Sequence, residues 1–191
     1  MKLPTGDAGA WPIRPDAAWN AFNGPVEGRT PRQPITHTRL NRAPCMDDAA
    51  RYDAAYRATR YRVHAGHSPF DLRVEVASAP LAALMRRHGV TTAAYLTACN
   101  PYSVRTSEVA NRAANEALRA ALVAADAFVF EGEAIDPTGA WPAEPSFLAL
   151  GIALATAREL AVRFRQNALL FADDDAVPRL LWLPRKADED A

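Results

Sequence analysis

From Met46 onward the apolar positions recur at helical or strand spacing, and the elements can be read from that rhythm. Asp47 or Asp48 N-caps a first helix over Ala49 to Ala58, in which Tyr52, Ala55 and Tyr56 share one face. Tyr61 to Val63 and Phe70 to Val76 read as two strands, joined across Gly66 and Pro69 as a hairpin. Ser78 with Pro80 opens a second helix with a buried stripe of Leu81, Leu84 and Met85, and Gly89 closes it.

The next stretch is the core. Thr92 to Ala98 is apolar, β-branched and aromatic, a buried strand. Thr106 or Ser107 caps a long helix to Ala124, with Glu108 well placed for its dipole. A strand over Ala127 to Ile135, a turn-rich connection over Asp136 to Pro145 and a strand over Phe147 to Ile152 follow. A helix from about Leu154 to Gln166 turns Ala157, Leu160 and Phe164 inward, then come strands at Ala168 to Phe171 and Leu180 to Leu183. The order strand–helix–strand–strand–helix–strand predicts an α+β fold with a ferredoxin-like (βαββαβ) antiparallel sheet, helices on one face, and an N-terminal helix/β-hairpin/helix addition.

Residues 1–45 follow neither period and hold seven of the fifteen prolines, so they read as a tail, disordered or loosely docked through Trp11, Trp19 and Phe22. The expected domain spans 46–185, with 186–191 an acidic tail; Met46 also offers an internal translation start. Basic and acidic residues balance at 22 each, which supplies no global field for nucleic acid or an anionic membrane. Two cysteines suit a reducing compartment, and neither a secretory signal nor an apolar run of membrane length is present in the sequence, so a cytoplasmic protein is expected.

In that topology the first strand's exit, the second-to-third-strand connection and the second helix's end share one sheet edge. Three amide- and proline-rich segments fall there: Thr97 to Ser103, Trp141 to Ser146, and Arg163 to Asn167. Asn111 faces inward on the long helix, beside Leu118 and Leu122, and Asn115 borders that face. The edge is therefore the expected site for a small polar or anionic ligand, held by Asn100, Ser103, Arg105, Asn111, Trp141, Ser146, Gln166 and Asn167.

The motifs Thr97-Ala98-x-Asn100-Pro101-x-Ser103, Trp141-Pro142-x-Glu144-Pro145-Ser146-Phe147 and Phe164-x-Gln166-Asn167-Ala168 resemble a bacterial family classed as a domain of unknown function. Tyr56-x-x-Thr59-x-Tyr61 resembles that family's opening, so the resemblance covers roughly residues 50–175. It implies a bacterial cytosolic setting and brings no activity, cofactor or catalytic residue.

Glu144, between Pro142 and Pro145, is the candidate acid or base; Trp141 would desolvate it. Glycoside chemistry would need a second carboxylate, with Glu131, Glu133 or Asp136 near in sequence. The bland alternative is that Glu144 bonds loop amides or pairs with Arg163 or Arg165. Asn100 and Ser103 would bind an anion beside a helix N-terminus, or simply bond their own turn. Gln166 and Asn167 would read a ligand's edge, or cap the helix, where Asn tolerates a left-handed backbone. Cys99 lacks a partner base, His64 and His67 lack further metal ligands, and neither GxxxxGK[ST] nor GxGxxG occurs. Three functions compete: a ligand site with hydrolysis the first reaction to test; a binding or regulatory module whose open sheet face or edge strand meets a partner or second copy; and, last, a nucleic-acid binder, for which no RRM-type motif or positive charge speaks.

Overall fold

The computed structural model describes residues 46–66 and 68–184. Both expected tails, with Trp11, Trp19, Phe22 and His37, lie outside those residues, as does His67.

Twelve elements follow one another among the described residues. Helix α1 spans Met46–Ala58, strands β1 and β2 span Arg60–Val63 and Phe70–Leu72, and helix α2 spans Ala79–His88. Strand β3 spans Ala93–Leu96, a short 3-10 turn covers Pro101–Ser103, and helix α3 spans Glu108–Ala124. Strands β4 and β5 span Phe128–Ile135 and Glu144–Leu150, helix α4 spans Leu154–Arg163, and strands β6 and β7 span Ala168–Ala172 and Arg179–Trp182.

Local chemistry explains the ends. Ser78 Oγ accepts a hydrogen bond from Leu81 N, Pro80 sits in the first turn of α2, and Gly89 takes the left-handed backbone at φ 66° that ends it. Ser107 Oγ accepts from Ala110 N at the start of α3, and Glu108 sits in its first turn. Strand β2 is shorter than the expected Phe70–Val76 because Glu75 turns left-handed at φ 62°. There the backbone leaves its hairpin partner, and Glu75 N and Ser78 N donate instead to Pro178 O and Ala176 O.

The seven strands form one sheet in the order β2-β1-β4-β5-β3-β6-β7, every neighbouring pair antiparallel. Strands β3 and β6 are buried at every position, so neither sheet face can be left to water. Both faces are covered, a correction to the single helix layer expected. On one face Leu118 and Leu122 of α3 and Ala157 and Ala161 of α4 pack against Ala94, Leu96, Phe147, Ala149, Leu169 and Phe171. On the other, Leu81, Leu84 and Met85 of α2 pack against Ala93, Leu148, Leu150 and Ala172. Helix α1 lies over the remainder of that second face. The open sheet face assumed for a partner is therefore taken.

Candidate functional site

The site begins where a ladder stops. Strands β3 and β5 pair from Ala93↔Leu150 to Leu96↔Phe147, and two positions further on the same register would set Ala98 opposite Pro145. That pair would exchange two backbone hydrogen bonds, and proline has no N–H for one of them. The strands part, and Asn115 from α3 enters the gap. Its Oδ1 accepts from Ala98 N at 2.8 Å and its Nδ2 donates to Pro145 O at 2.9 Å. A side-chain amide thus completes the broken rung. Thr97 Oγ1 also donates to Pro145 O, at 2.8 Å. Glu144 and Pro145 belong to strand β5 rather than to the turn-rich connection expected to run to Pro145, and the strand expected from Phe147 starts at Glu144. Pro145 is tolerated because its nitrogen faces the side where pairing has already ended.

Beyond that point the chain is held in an unfavourable shape. Asn100, Tyr102 and Ser103 all take left-handed backbone, at φ 47°, 55° and 59°. Non-glycine residues there cost on the order of 1 kcal/mol or more each, so the surroundings must over-determine the loop. They do so with amides. Asn100 N donates to Asn111 Oδ1 at 2.9 Å while Asn111 Nδ2 donates back to Asn100 Oδ1 at 3.0 Å. Tyr102 N donates to Arg165 O at 2.7 Å, Asn167 Nδ2 to Ser103 Oγ at 2.9 Å, and Gln166 Nε2 to Cys99 O at 3.1 Å. The third segment thereby clamps the first. Its left-handed residue is Arg165, at φ 54°, not Asn167. Arg165 N and Gln166 N bond Val162 O and Ala161 O in a Schellman-type close of α4, which leaves the Asn167 side chain free to reach Ser103.

Beneath this loop, between α1 and the sheet face opposite α3 and α4, lies a cavity of about 370 Å³. Tyr52, Ala55 and Tyr56 of α1 roof it, and Tyr61, Tyr95 and Ala134 form part of its strand wall. Asn100, Ser103, Arg105, Trp141, Glu144, Ser146 and Gln166 line its motif-bearing end. Three of the phenols are already engaged: Tyr61 OH donates to Tyr56 O, Tyr95 OH donates to Arg62 O, and Tyr56 OH lies 3.4 Å from Ser103 Oγ. Gly132 makes the second of these bonds feasible. A Cβ there would fall on Arg62 O and within 2.7 Å of Tyr95 OH.

Glu144 is the one carboxylate among the described lining residues. Its Oε1 accepts from Asn100 Nδ2 at 2.5 Å. Its Oε2 takes no hydrogen bond from the described residues and is not among the occluded unpartnered atoms, and Glu144 lines the cavity. No ion pair joins Glu144 to Arg163, Arg165 or any other described cation. Burial raises its pKa above the ordinary glutamate value, and the Asn100 hydrogen bond only partly offsets this.

The expected second carboxylates are engaged elsewhere. Glu133 lies one position out of phase with Ala134, on the other sheet face, 3.8 Å from Arg62 and 3.7 Å from His64. Glu131 shares that alternation and does not line the cavity. Asp136 accepts from the N–H and hydroxyl of Thr138 and the N–H of Ala140; these bonds outweigh its burial and hold its pKa low. Burial pushes the Cys99 thiol up, against hydrogen bonds with Thr97 and Asn115, so Cys99 is not poised as a thiolate. No group of three metal-binding side chains converges among the described residues. His88 packs its ring on Phe128 and Phe130, at 4.5 and 5.5 Å between centroids.

Of the residues singled out from sequence, Asn111 and Asn167 do not line the cavity and stand behind Asn100 and Ser103. The tyrosine walls were not anticipated. Their signal was the shared helical face of Tyr52, Ala55 and Tyr56, together with Tyr61 and Tyr95 on strands whose same-face neighbours are small, as at Gly132 and Ala134.

Residues 96–169 match the model of a family described as a protein of unknown function (DUF3293). The match holds all three motif segments and leaves α1, β1, β2 and α2 outside it. No curated protein and no solved structure matches the chain. No helix among the described residues is long and apolar enough to cross a membrane.

Proposed function

We propose that the protein binds a small molecule in the cavity beneath α1, with Glu144 meeting the ligand's polar end. A volume of about 370 Å³ lies near the lower limit of small-molecule sites, which run from roughly 300 to 1,000 Å³. The carrying observation is a cavity-lining Glu144 whose Oε2 is unengaged among the described residues, beside a strained loop that several amides hold in place. A carboxyl with a raised pKa is suited to accept or release one proton, so a hydrolytic step using Glu144 remains the first reaction to test. Two-carboxylate glycoside chemistry finds no support, because the described lining holds one carboxylate.

The frame is best read as ferredoxin-like. In its favour, β3-α3-β4-β5-α4-β6 follow in that order along the chain, with β4, β5, β3 and β6 adjacent and antiparallel. The paucity of cysteine, and the lack of a long apolar helix among the described residues, favour a cytoplasmic setting.

The second reading, a binding or regulatory module in which the motifs only brace loops, draws support from the amides: Asn111, Asn115, Gln166 and Asn167 all bond protein atoms. A second copy would then meet edge strand β2 or β7. A metabolite panel screened by thermal melting separates the two readings. Under the ligand reading at least one compound raises the midpoint, and Ala55→Trp, which fills the cavity from α1, removes that rise. If no compound raises it while Asn100→Ala and Gln166→Ala each lower stability by about 1–3 kcal/mol, bracing is the whole role of the motifs.

A further inference from the structure

Resting on the cavity being a binding site, we infer that the ligand end held by Glu144 is a cation: a protonated amine carried on an aromatic or apolar body. Four observations lead there.

The first is the fixed direction of the carboxylate's one hydrogen-bond partner among the described residues. Asn100 Oδ1 accepts from Thr106 N at 3.0 Å and from Asn111 Nδ2 at 3.0 Å, so the amide cannot turn and must offer Nδ2 to Glu144. Glu144 is thus held as an acceptor in the cavity lining, with Oε2 neither bonded to a described residue nor occluded. Second, no described cation stands within ion-pair distance of Glu144, so a half-buried negative charge lacks a counter-charge that the ligand would bring.

The third observation concerns the walls. The hydroxyls of Tyr61 and Tyr95 are committed to backbone carbonyls, and that of Tyr56 faces Ser103. These residues therefore present ring surface to the cavity, which suits an aromatic or aliphatic body and attracts a cation. Fourth, Arg105 is the one Lys or Arg in the described lining, and its side chain is exposed, where water and salt screen it. An anionic ligand reaching further in would meet Glu144 with nothing buried to balance it. The expected anionic ligand is the poorer fit.

The test uses the full chain and three probes of similar size: 2-phenylethylamine, 2-phenylethanol and 3-phenylpropanoate. The amine should raise the melting midpoint in a concentration-dependent way, and the alcohol and the carboxylate should not. Glu144→Gln keeps the acceptor for Asn100 and removes the charge; it should weaken the amine by about tenfold or more. Arg105→Ala should leave the amine bound as tightly or more tightly. A midpoint raised more by the carboxylate than by the amine, an amine bound equally by Glu144→Gln, or silence from all three probes overturns the cationic assignment. Should a compound in the broader panel still raise the midpoint and lose that effect in Ala55→Trp, the cavity reading survives and only the ligand class falls. The probe comparison on the unaltered chain decides the matter even where a variant fails to fold.

Discussion

The two faces of the sheet are built to opposite standards. Under α3 and α4, Leu118 and Leu122 at 0% exposure and Ala157 and Ala161 at 0 and 1% are shut off from water, as close-packed interiors require. Under α1 the sheet meets tyrosines and small residues, and a hollow of about 370 Å³ is left. Helix α2 fills the other end of that same face with Leu81, Leu84 and Met85. The hollow is therefore confined to the motif-bearing end of one face. A fold that packs the rest so closely would gain stability by filling the remainder, since unfilled apolar volume forfeits dispersion contacts. That it stays open beside a strained loop is what a binding site requires.

Substitutions can break or sharpen this contrast. The largest effect is expected from Leu122→Ala, on the closed face, which should cost about 2–5 kcal/mol in chemical denaturation. Next comes Asn115→Ala, which leaves Ala98 N without an acceptor and should cost about 2–4 kcal/mol. Its cost should shrink by about 1 kcal/mol when combined with Pro145→Ala, whose restored N–H lets the ladder close; strict additivity would contradict the role given to Asn115. Adding bulk separates the faces: Ala161→Leu under α4 should cost about 1–3 kcal/mol, whereas Ala55→Trp, entering the hollow, should cost less than about 1 kcal/mol. An Ala55→Trp loss as large as that of Ala161→Leu would mean the space is not there.

The smallest effect belongs to pH. A carboxyl whose folded pKa lies above its unfolded value binds more protons when folded, so its charge opposes folding once ionised. The Glu144 contribution is therefore absent below the ordinary glutamate range. The penalty grows as pH rises through the raised value and is complete above it. Glu144→Gln should match the wild type in acid and be slightly more stable near neutrality. A variant less stable at neutral pH would show that the carboxylate braces the loop.

Much of the frame was legible because local chemistry and tertiary packing agree in it. The Ser78 cap, Pro80 and Gly89 bound α2 as read, and the three polar segments do converge, Asn100 bonding Glu144 across 44 positions. The misreadings share a cause: two side chains, Asn115 and Asn167, bond groups far away in sequence. Periodicity places Asn115 only at the border of the inward face of α3, and nothing local says that it completes a strand pair. Likewise Pro145 reads as a turn residue until its missing N–H is seen to face an ended ladder. The cavity was hidden for a different reason. A hollow is a property of what neighbouring elements fail to fill, and α1 meets the sheet only in three dimensions.

The most direct measurement is a carbon-13 NMR titration of the Glu144 side-chain carboxyl, with and without 2-phenylethylamine. The account predicts a midpoint above the ordinary glutamate value in the free protein, moving down when the amine binds. A midpoint at the ordinary value that the amine leaves in place would contradict it.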